Sequence, residues 1–396
     1  MKSARLLIQS VIIVSLLSCA TGTVLAERYV IREVMSGLVS PRGLAIGPDG
    51  GLYVAEGGSG GKGPTFIRGD GVEVFLGASG AISRSLGGVQ ERVLDGLPSL
   101  AREDGTDGGG LNDILFDGAG QAYGLFGLGG SAAVRDSDLG DLGSVLGTIA
   151  RLPLGGGALQ PVADIAAHEL AANPAGMAID SNPFQFTQTT AGGFLVADAG
   201  GNDFLHATGA GDVTTLAVLP PRTNPLPFGP PMFQAVPTSI AVGPDDAYYV
   251  GQLTGFPFPP GAANVYRFDP ATSDVPVAYT GFTNIVDLTF DDDGNLYVLQ
   301  ITTNGLASAM GPGPGALNKI DATTGDRTTI ASEGLLFPGS VLAAPDGTLY
   351  VTNQVTIAGA GQVLSLTLVP EPSSLLLVGL GLVAALAIRL SSDRGR

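Results

Sequence analysis

The sequence is poor in the residues on which nucleophilic and disulfide chemistry depend. Its 396 residues include no Trp, one Cys and two His. The one cysteine, Cys19, lies in the N-terminal leader, so the mature chain has no disulfide framework. Because there is neither a nucleophilic Cys nor a recognisable Ser–His–acid set, the sequence gives little support to acyl-transfer chemistry.

Basic residues are scarce as well. Lys and Arg number 19 against 36 Asp and Glu, which gives a formal net charge of −17. The leader and the C-terminal tail hold more basic than acidic residues, so the body between them is more acidic still. This charge argues against nucleic acid or an anionic membrane surface as a partner of the body. Two interpretations of the acidity stay open, a solvated surface and a cation-binding protein.

Turn-forming residues, by contrast, are abundant. The chain has 61 Gly and 27 Pro, and only 14% of its residues are charged. This composition is typical of many short strands joined by turns rather than of helices. A chain of this length can bury a sizeable core as one closed domain, so the length alone does not require two domains.

A repeated strand–turn–strand unit organises the sequence. Its first copy, Gly43–Glu56, consists of two apolar runs joined by Pro48-Asp49-Gly50, where Pro presets φ and Asp-Gly accepts a positive φ. Successive copies lie 48 residues apart from Ser239 to Asp287 and 53 apart from Asp287 to Ser340, as propeller blades do. The five further copies are Asp113–Phe126, Gly176–Asp198 with an insertion, Ser239–Gln252, Asp287–Gln300 and Ser340–Asn353.

The strand-like runs at the two ends of the body together make up one complete unit. Every copy of the unit is followed by two further strand-like runs, except that the last copy lacks its fourth run. Tyr29–Gly37 resembles a fourth run, and we expect it to pair with Gln362–Leu368 as the outer strand of the last unit. Closure of this kind removes exposed sheet edges. The sequence therefore predicts an all-β fold, a six-bladed β-propeller closed by the N-terminal strand.

The N-terminal 26 residues read as a signal peptide. Lys2 and Arg5 precede the apolar run Leu6–Leu17, and Val24-Leu25-Ala26 is a small-residue cleavage site. A lipoprotein box at Leu16–Cys19 is the less favoured alternative, because Leu17 fits poorly before the small residue. The predicted organisation is a signal peptide over 1–26, the propeller over 27–368 and a sorting tail over 369–396.

The C-terminus carries the more specific signal. Pro370, Glu371 and Pro372 precede the apolar run Leu375–Ile388, and a basic end follows. Fourteen residues are short for a stable membrane span, which needs about 20. The tail resembles a PEP-CTERM sorting tail, which implies recognition and cleavage by an exosortase, with transient membrane association through the hydrophobic helix before cleavage. A plain membrane anchor is the alternative, and it predicts the same outward-facing topology.

Aligning the copies exposes two polar positions that we expect to meet at one mouth of the central channel. One ends the second strand and the other opens the first strand. Oxygen-rich rings of this kind suit hard cations such as calcium, whereas a water-filled channel needs no ligand at all. The predicted metal ligands are Glu56, Asp113, Asp198 and Asp287, and Gln252, Gln300 and Asn353 complete the predicted ligand-binding set; Gly43, Gly176, Ser239 and Ser340 occupy the remaining strand-opening positions.

Three segments resemble the ScyD/ScyE family of exported propellers associated with scytonemin gene clusters. They are Asp180–Phe184 with Gly193–Asn202, Val236–Ser239 with Gly243–Asp245, and Tyr249–Gly261. The resemblance covers nearly all of residues 38–368 and implies a six-bladed propeller with an export-linked function, without an established reaction. The sequence departs from the family at Asn112-Asp113, where a Pro-His-Asp-like run is expected.

Together these features favour an exported protein of the cell surface or the extracellular space. We expect a binding or scaffolding module of the extracellular matrix or of scytonemin-related processes, with a small-molecule, polysaccharide or protein ligand. The alternative is a calcium-dependent hydrolase of lactonase type that acts at the channel mouth through Glu56, Asp113, Asp198 and Asp287. Such an enzyme needs carboxylate and amide ligands around one ion with an open position for water.

Overall fold

The computed structural model describes residues 28–189 and 192–369. The predicted signal peptide and the predicted sorting helix lie outside the described residues. Within these residues short strands dominate, and three short helices lie in the connections between them. The elements are β1 (Tyr29–Val39), β2 (Pro41–Ile46), β3 (Leu52–Glu56), β4 (Thr65–Ile67), β5 (Glu73–Leu86), β6 (Val89–Ala101), β7 (Gly109–Phe116), β8 (Ala122–Phe126), α1 (Ala132–Asp138), α2 (Gly140–Gly143), β9 (Thr148–Arg151), β10 (Gln160–Asp164), α3 (Ile165–Ala172), β11 (Pro183–Gln188), β12 (Phe194–Asp198), β13 (Asp203–Ala207), β14 (Val213–Val218), β15 (Arg222–Thr223), β16 (Met232–Phe233), β17 (Pro237–Val242), β18 (Tyr248–Gln252), β19 (Ala263–Phe268), β20 (Val277–Phe282), β21 (Ile285–Phe290), β22 (Leu296–Gln300), β23 (Ala316–Ile320), β24 (Arg327–Ala331), β25 (Val341–Ala343), β26 (Leu349–Asn353) and β27 (Ala358–Leu368).

The strands pair in antiparallel four-stranded units. Four separate sheets have the orders β11-β12-β13-β14, β17-β18-β19-β20, β21-β22-β23-β24 and β1-β27-β26-β25. Two further units, β2-β3-β5-β6 and β7-β8-β9-β10, are joined where Ser99 and Leu100 of β6 pair with Gly110 and Gly109 of β7. The arrangement is β-propeller-like, as the repeat predicts.

The predicted hairpin turn has its expected geometry in the first unit. Gly50 adopts a φ of +77°, and the backbone N–H of Gly50 donates to the Gly47 carbonyl at 2.9 Å. Asp49 accepts from the Gly51 N–H at 3.0 Å and from the Tyr53 hydroxyl at 3.0 Å, and it forms an ion pair with Arg84 at 2.6 Å. The turn aspartate therefore ties the first three strands of the unit together.

The third hairpin differs from its prediction. Its first strand is β11, Pro183–Gln188, which pairs with β12 so that Gln185 lies opposite Ala197. Gly176 lies outside β11, in the connection that follows α3, where it adopts a φ of +63°. Because Asn173 ends α3 in a left-handed conformation and Gly176 forms a turn, the chain reaches an extended conformation only at Pro183. The strand-opening position therefore belongs to Gln185.

The N-terminal strand lies at the outer edge of the last sheet. β1 pairs with β27 in a register that runs from Tyr29 opposite Leu368 to Met35 opposite Val363. The predicted pairing of Tyr29–Gly37 with Gln362–Leu368 is therefore present, and β1 extends two residues further. The first strands of the units also contact one another in succession, from β2 through β7, β11, β17, β21 and β25 and back to β2.

Aromatic and branched side chains pack between neighbouring units. Tyr123 of the second unit and Phe194 of the third have ring centroids 5.0 Å apart. Between the third and fourth units, Phe204 packs edge-on against Phe268 at 5.3 Å. Such contacts bury the faces that a separate four-stranded sheet would expose, so each unit is stabilised by its neighbours.

The two ends of the strands form two different faces. The end at which the second strands finish receives the longer connections, and we call it the loop face. The opposite end, with hairpin turns such as Asp49-Gly50, is the turn face. β4, α1, α2, α3, β15 and β16 all lie in loop-face connections. Tyr29 and Leu368 lie at the turn face, because Leu366 pairs with Leu349 next to the turn at Asp346-Gly347.

Candidate functional site

The first strands surround a small central cavity of about 10 Å³. A volume of this size matches roughly one water molecule. Asp113 and Asp287 both line it, so the structure brings together two of the four predicted metal ligands. Glu56 and Asp198 are absent from its lining, which comprises Arg42, Gly43, Asn112, Asp113, Phe184, Gln185, Thr238, Val286, Asp287, Gly339 and Ser340.

Asp287 is held by donors on every side. One oxygen, Oδ1, accepts from the Gln185 side-chain amide and from the Leu288 N–H at 2.6 Å. The other, Oδ2, accepts from the Ser340 hydroxyl at 2.7 Å and from the Val341 N–H at 2.8 Å. Burial nevertheless raises the pKa of Asp287 to about 7, against the opposing effect of these hydrogen bonds.

Asp113 lies beside it with fewer partners. Its oxygens accept from the Ile114 N–H at 2.8 Å and from the Phe186 N–H at 3.1 Å. Burial raises the pKa of Asp113 well above its ordinary value, and the charge of Asp287 raises it further. A Cβ at Gly43 would lie 1.8 Å from Asp113 Oδ1. The carboxyl therefore fills the space that glycine leaves open at the same position of the first unit.

The polar residues that end the second strands act mainly within their own units. In four of the six units this residue accepts a backbone hydrogen bond from the segment that precedes its own first strand. The four bonds are Val39 N–H to Glu56 at 2.7 Å, Asn182 N–H to Asp198 at 2.6 Å, Thr283 N–H to Gln300 at 2.7 Å and Leu336 N–H to Asn353 at 2.8 Å. This recurring bond fastens the loop to the sheet, which explains polar side chains at this position without a ligand.

Two units depart from this pattern. Gln252 accepts instead from the Arg222 guanidinium at 2.9 Å and from the Asn264 N–H at 3.3 Å. Phe126 is apolar and fully buried. Glu56 additionally forms an ion pair with Arg92 at 3.0 Å. The seven predicted ligand-binding residues are thus all buried, and each of them accepts at least one hydrogen bond from a protein group.

The predicted calcium ligands do not fit a single ion. Asp113 and Asp287 lie in the central cavity, whereas Glu56 is neutralised by Arg92 and Asp198 accepts from its own loop. Within residues 28–189 and 192–369, no three His, Cys, Asp or Glu side chains are placed to hold one metal ion. No hydrolytic step through a shared calcium ion follows from this arrangement.

Sequence reasoning missed Gln185 and Arg42. Gln185 links neighbouring units, because its amide donates to Asp287 and its Oε1 accepts from the Ile240 N–H at 2.7 Å. It lies 13 positions before Asp198, as Asp113 does before Phe126, and this constant spacing could have identified it. Arg42 donates to the Gly108 carbonyl and lies over the Phe184 ring at 5.9 Å, and no repeated position marks it.

A second candidate surface lies on the loop face. Phe256 and Phe228 are 51% and 47% exposed, and Met232 in β16, which follows the Phe228 loop, is 45% exposed. The ring of Phe256 lies 6.4 Å from that of Phe228 and 6.1 Å from that of Phe258. We call Phe228, Met232, Phe256 and Phe258 the aromatic loop surface. Exposed apolar side chains gathered in this way are typical of a binding site.

Hydrogen bonds hold the loops that carry this surface. The Asn224 side-chain amide donates to the carbonyls of Phe228 at 2.7 Å and Pro230 at 2.9 Å. The Gly255 N–H donates to the Gln234 carbonyl at 2.9 Å, which ties the Phe256 loop to the segment between β16 and β17. The aromatic rings are therefore presented by loops with a defined backbone.

The C-terminal tail matches a known family. Residues 368–391 match the PEP-CTERM protein-sorting motif, which indicates an exported protein that is anchored in the membrane before its tail is cleaved. Among the described residues, no helix has the length and apolarity to span a membrane. A search of curated proteins returns no match to the chain.

Solved structures give distant similarities. A Bacteroides thetaiotaomicron protein of unknown function is 10% identical with a TM-score of 0.51, over 87% of this chain and 76% of that one. Virginiamycin B lyase from Staphylococcus aureus is 13% identical with a TM-score of 0.46, over 86% of this chain and 100% of that one. A gluconolactonase from Xanthomonas campestris is 11% identical with a TM-score of 0.48, over 86% and 90%. The first similarity is one of fold alone, and the other two are too weak to argue from.

Proposed function

We propose that this protein is an exported binding and scaffolding module of the extracellular matrix. Its ligand is a neutral polysaccharide that the aromatic loop surface holds. The observation that carries the proposal is the group of exposed rings, Phe228 and Phe256, on the loop face. The C–H faces of sugar rings pack well on aromatic side chains, and an uncharged chain avoids repulsion by the acidic body.

The fold part of the proposal is a six-bladed propeller over residues 27–368, closed by β1. Two observations support it. The four-stranded units contact one another in succession from β2 to β25 and back, and β1 completes the last unit by pairing with β27. Closure of this kind gives the loop face a rigid frame, which lowers the cost of ordering the binding loops.

The orientation of the chain fits display at a surface. Val369, where the sorting tail begins, follows Leu368 at the turn face. The aromatic loop surface lies at the opposite end of the sheets. A protein held by its tail would therefore present these rings away from the membrane. After exosortase cleavage we expect the body at the cell surface or in the matrix, and the ScyD/ScyE resemblance implies a role in scytonemin-related processes.

Co-sedimentation with polysaccharide tests this function. The mature protein is mixed with insoluble cellulose and with matrix polysaccharide purified from the producing cells. We expect binding that Phe228→Ala with Phe256→Ala weakens by about tenfold or more, since each ring contributes roughly 1 kcal/mol beyond its buried area. The matched control is Leu86→Ala with Val89→Ala, because these exposed apolar residues lie at the turn face. Equal binding by both double variants would contradict the proposal.

No comparable observation supports the hydrolase alternative. The central cavity of about 10 Å³ has no room for a lactone, and the carboxylates proposed to act there are occupied by protein donors. A reaction at this mouth would require the first strands to separate. We therefore take the binding module as the function that the geometry supports best.

A further inference from the structure

Two aspartates face each other across the short β12–β13 connection. Asp198 ends β12, Asp203 begins β13, and the two are direct register partners. A Cβ on Gly201 would lie 2.9 Å from Asp203 Oδ1 and 3.4 Å from Asp198 Oδ2, so both carboxylates approach the same point. Like charges directly opposite each other on paired strands destabilise the pair.

Asp203 is buried without any hydrogen-bond partner. It is 1% exposed, and neither of its carboxylate oxygens has a donor within the described residues. Glu169 of α3 is 3% exposed, and its Oε2 likewise has no donor in this part of the chain. Burying such oxygens without a hydrogen-bond donor destabilises the fold, and the destabilisation is larger for charged groups. Something other than these protein groups must therefore offset the charge.

Asp198 belongs to the same cluster, and its two oxygens accept different numbers of hydrogen bonds. Its Oδ1 is taken by the N–H groups of Asn182 at 2.6 Å, Gly200 at 3.0 Å and Gly201 at 3.1 Å. Its Oδ2 accepts from the Ser181 hydroxyl at 2.6 Å and would lie 3.4 Å from a Cβ on Gly201, the point that Asp203 Oδ1 also approaches. The backbone thus fixes Asp198 through Oδ1, while Oδ2 lies near the unpartnered carboxylate.

We propose that Asp198, Asp203 and Glu169 form a site for one hard divalent cation, of which Ca²⁺ is the best fit. Ca²⁺ takes carboxylate oxygens in flexible geometry, and it can use both oxygens of Asp203 together with Asp198 Oδ2. No three acidic side chains stand at coordination distance in the described residues, so Glu169, whose charge raises the pKa of Asp203, has to move toward the aspartates when the cation binds. The site is separate from the central cavity and from the aromatic loop surface.

A proton is the competing occupant. Burial and the charges of Asp198 and Glu169 raise the pKa of Asp203 to about 9, so Asp203 is neutral at pH 7 unless a cation binds. The two occupants give opposite results in Asp203→Asn. The amide has the shape of the neutral acid, so it preserves stability if a proton is held there, and it removes a ligand if a cation is.

Calorimetry and thermal unfolding of the mature protein decide between them. We expect Ca²⁺ to bind with a stoichiometry near one and to raise Tm relative to chelator. Asp203→Asn and Glu169→Gln should each weaken Ca²⁺ binding by about tenfold or more, since even outer-sphere substitutions cost that much. Asp212→Asn, an exposed carboxylate of the same sheet, is the matched control and should leave the response unchanged.

Three results would overturn the proposal. The first is a wild-type protein whose Tm and calorimetric heat are the same in Ca²⁺ and in chelator. The second is a Ca²⁺ response that persists in both Asp203→Asn and Glu169→Gln. The third is Asp203→Asn with unchanged or raised Tm and no loss of Ca²⁺ affinity, which assigns a proton to Asp203. Because two variants are compared, a folding defect in one leaves the test intact.

Discussion

At the scale of single residues, Asp287 shows how one carboxylate can join several units. Through its two oxygens it contacts Gln185 of the third unit and Ser340 of the last, while its own strand belongs to the fifth. Buried carboxylates with this many donors usually ionise easily, yet burial here dominates and raises the pKa to about 7. Asp287 is therefore a structural link whose charge destabilises the fold.

This balance predicts a pH-dependent stability. Between pH 4 and pH 7 folded Asp287 retains a proton that the unfolded chain releases, because the folded pKa is about 7 and the ordinary value is 3.8. The free energy of unfolding contributed by Asp287 therefore falls as pH rises through this interval, by at most about 4 kcal/mol. In Asp287→Asn that decline is absent. Denaturant unfolding from pH 4 to pH 7 should show the wild type losing stability relative to the variant.

The control for this measurement is Asp274→Asn, because solvent surrounds that exposed carboxylate. Its stability should follow the wild-type curve throughout. A constant difference between wild type and Asp287→Asn over the whole pH range would contradict the assigned ionisation.

The same residues show which features of the site the repeated sequence pattern predicts and which it does not. The alignment correctly found the residues that end the second strands, because apolar alternation and a fixed spacing define them. The alignment did not predict which groups these side chains contact. Glu56 and Asn353 accept hydrogen bonds within their own units, whereas Asp287 accepts one from another unit. These contacts depend on the loops, whose lengths are irregular. Gln185 was missed because the insertion before β11 displaced its unit in the alignment.

At the scale of elements, the β1–β27 pair supplies a large share of the backbone hydrogen bonds of the last sheet. Because β25 has only three residues, most of the backbone hydrogen bonds in this sheet join β26, β27 and β1. The sequence predicted the pairing of these strands because the last unit lacked a fourth run and Tyr29–Gly37 resembled one. It did not predict α1, α2 and α3, because helices of four to eight residues are too short to show a clear 3.6-residue period.

Removal of residues 27–37 tests the importance of this pair. The truncation exposes the edge of β27 and uncovers Met35's neighbours, including Val363, which is fully buried. We expect a lower Tm and aggregation through the open edge. Scanning calorimetry and light scattering check this, with removal of residues 27 and 28 alone as the control that keeps β1. An unchanged Tm in the longer truncation would contradict closure by β1.

At the scale of the whole molecule, the sorting motif and the aromatic loop surface lie at opposite ends of the sheets. The sorting motif at residues 368–391 begins where the sheets end, at the turn face. We expect the secreted protein to lose residues 375–396 in a host with an exosortase, because Pro370, Glu371 and Pro372 lie just before that run. Intact-mass measurement of the secreted form checks this.

Replacing Pro370, Glu371 and Pro372 by Ala is the matched variant, and it should retain the full C-terminus and stay with the membrane fraction. A wild-type mature protein with residues 375–396 still attached would instead indicate a plain anchor. Because Val369 already follows the last strand, cleavage beyond it should leave Tm unchanged.

The pairing of β1 with β27 also determines when the last sheet can form during export. Tyr29, among the first body residues to cross the membrane, pairs with Leu368, among the last, and the Val369 N–H donates to the Arg28 carbonyl at 2.8 Å. Contacts so distant in sequence form slowly, because a long loop must close before they add stability. The last sheet therefore cannot form until the entire chain has been exported. Until then its open edge is the part of the molecule most exposed to proteases and to other chains.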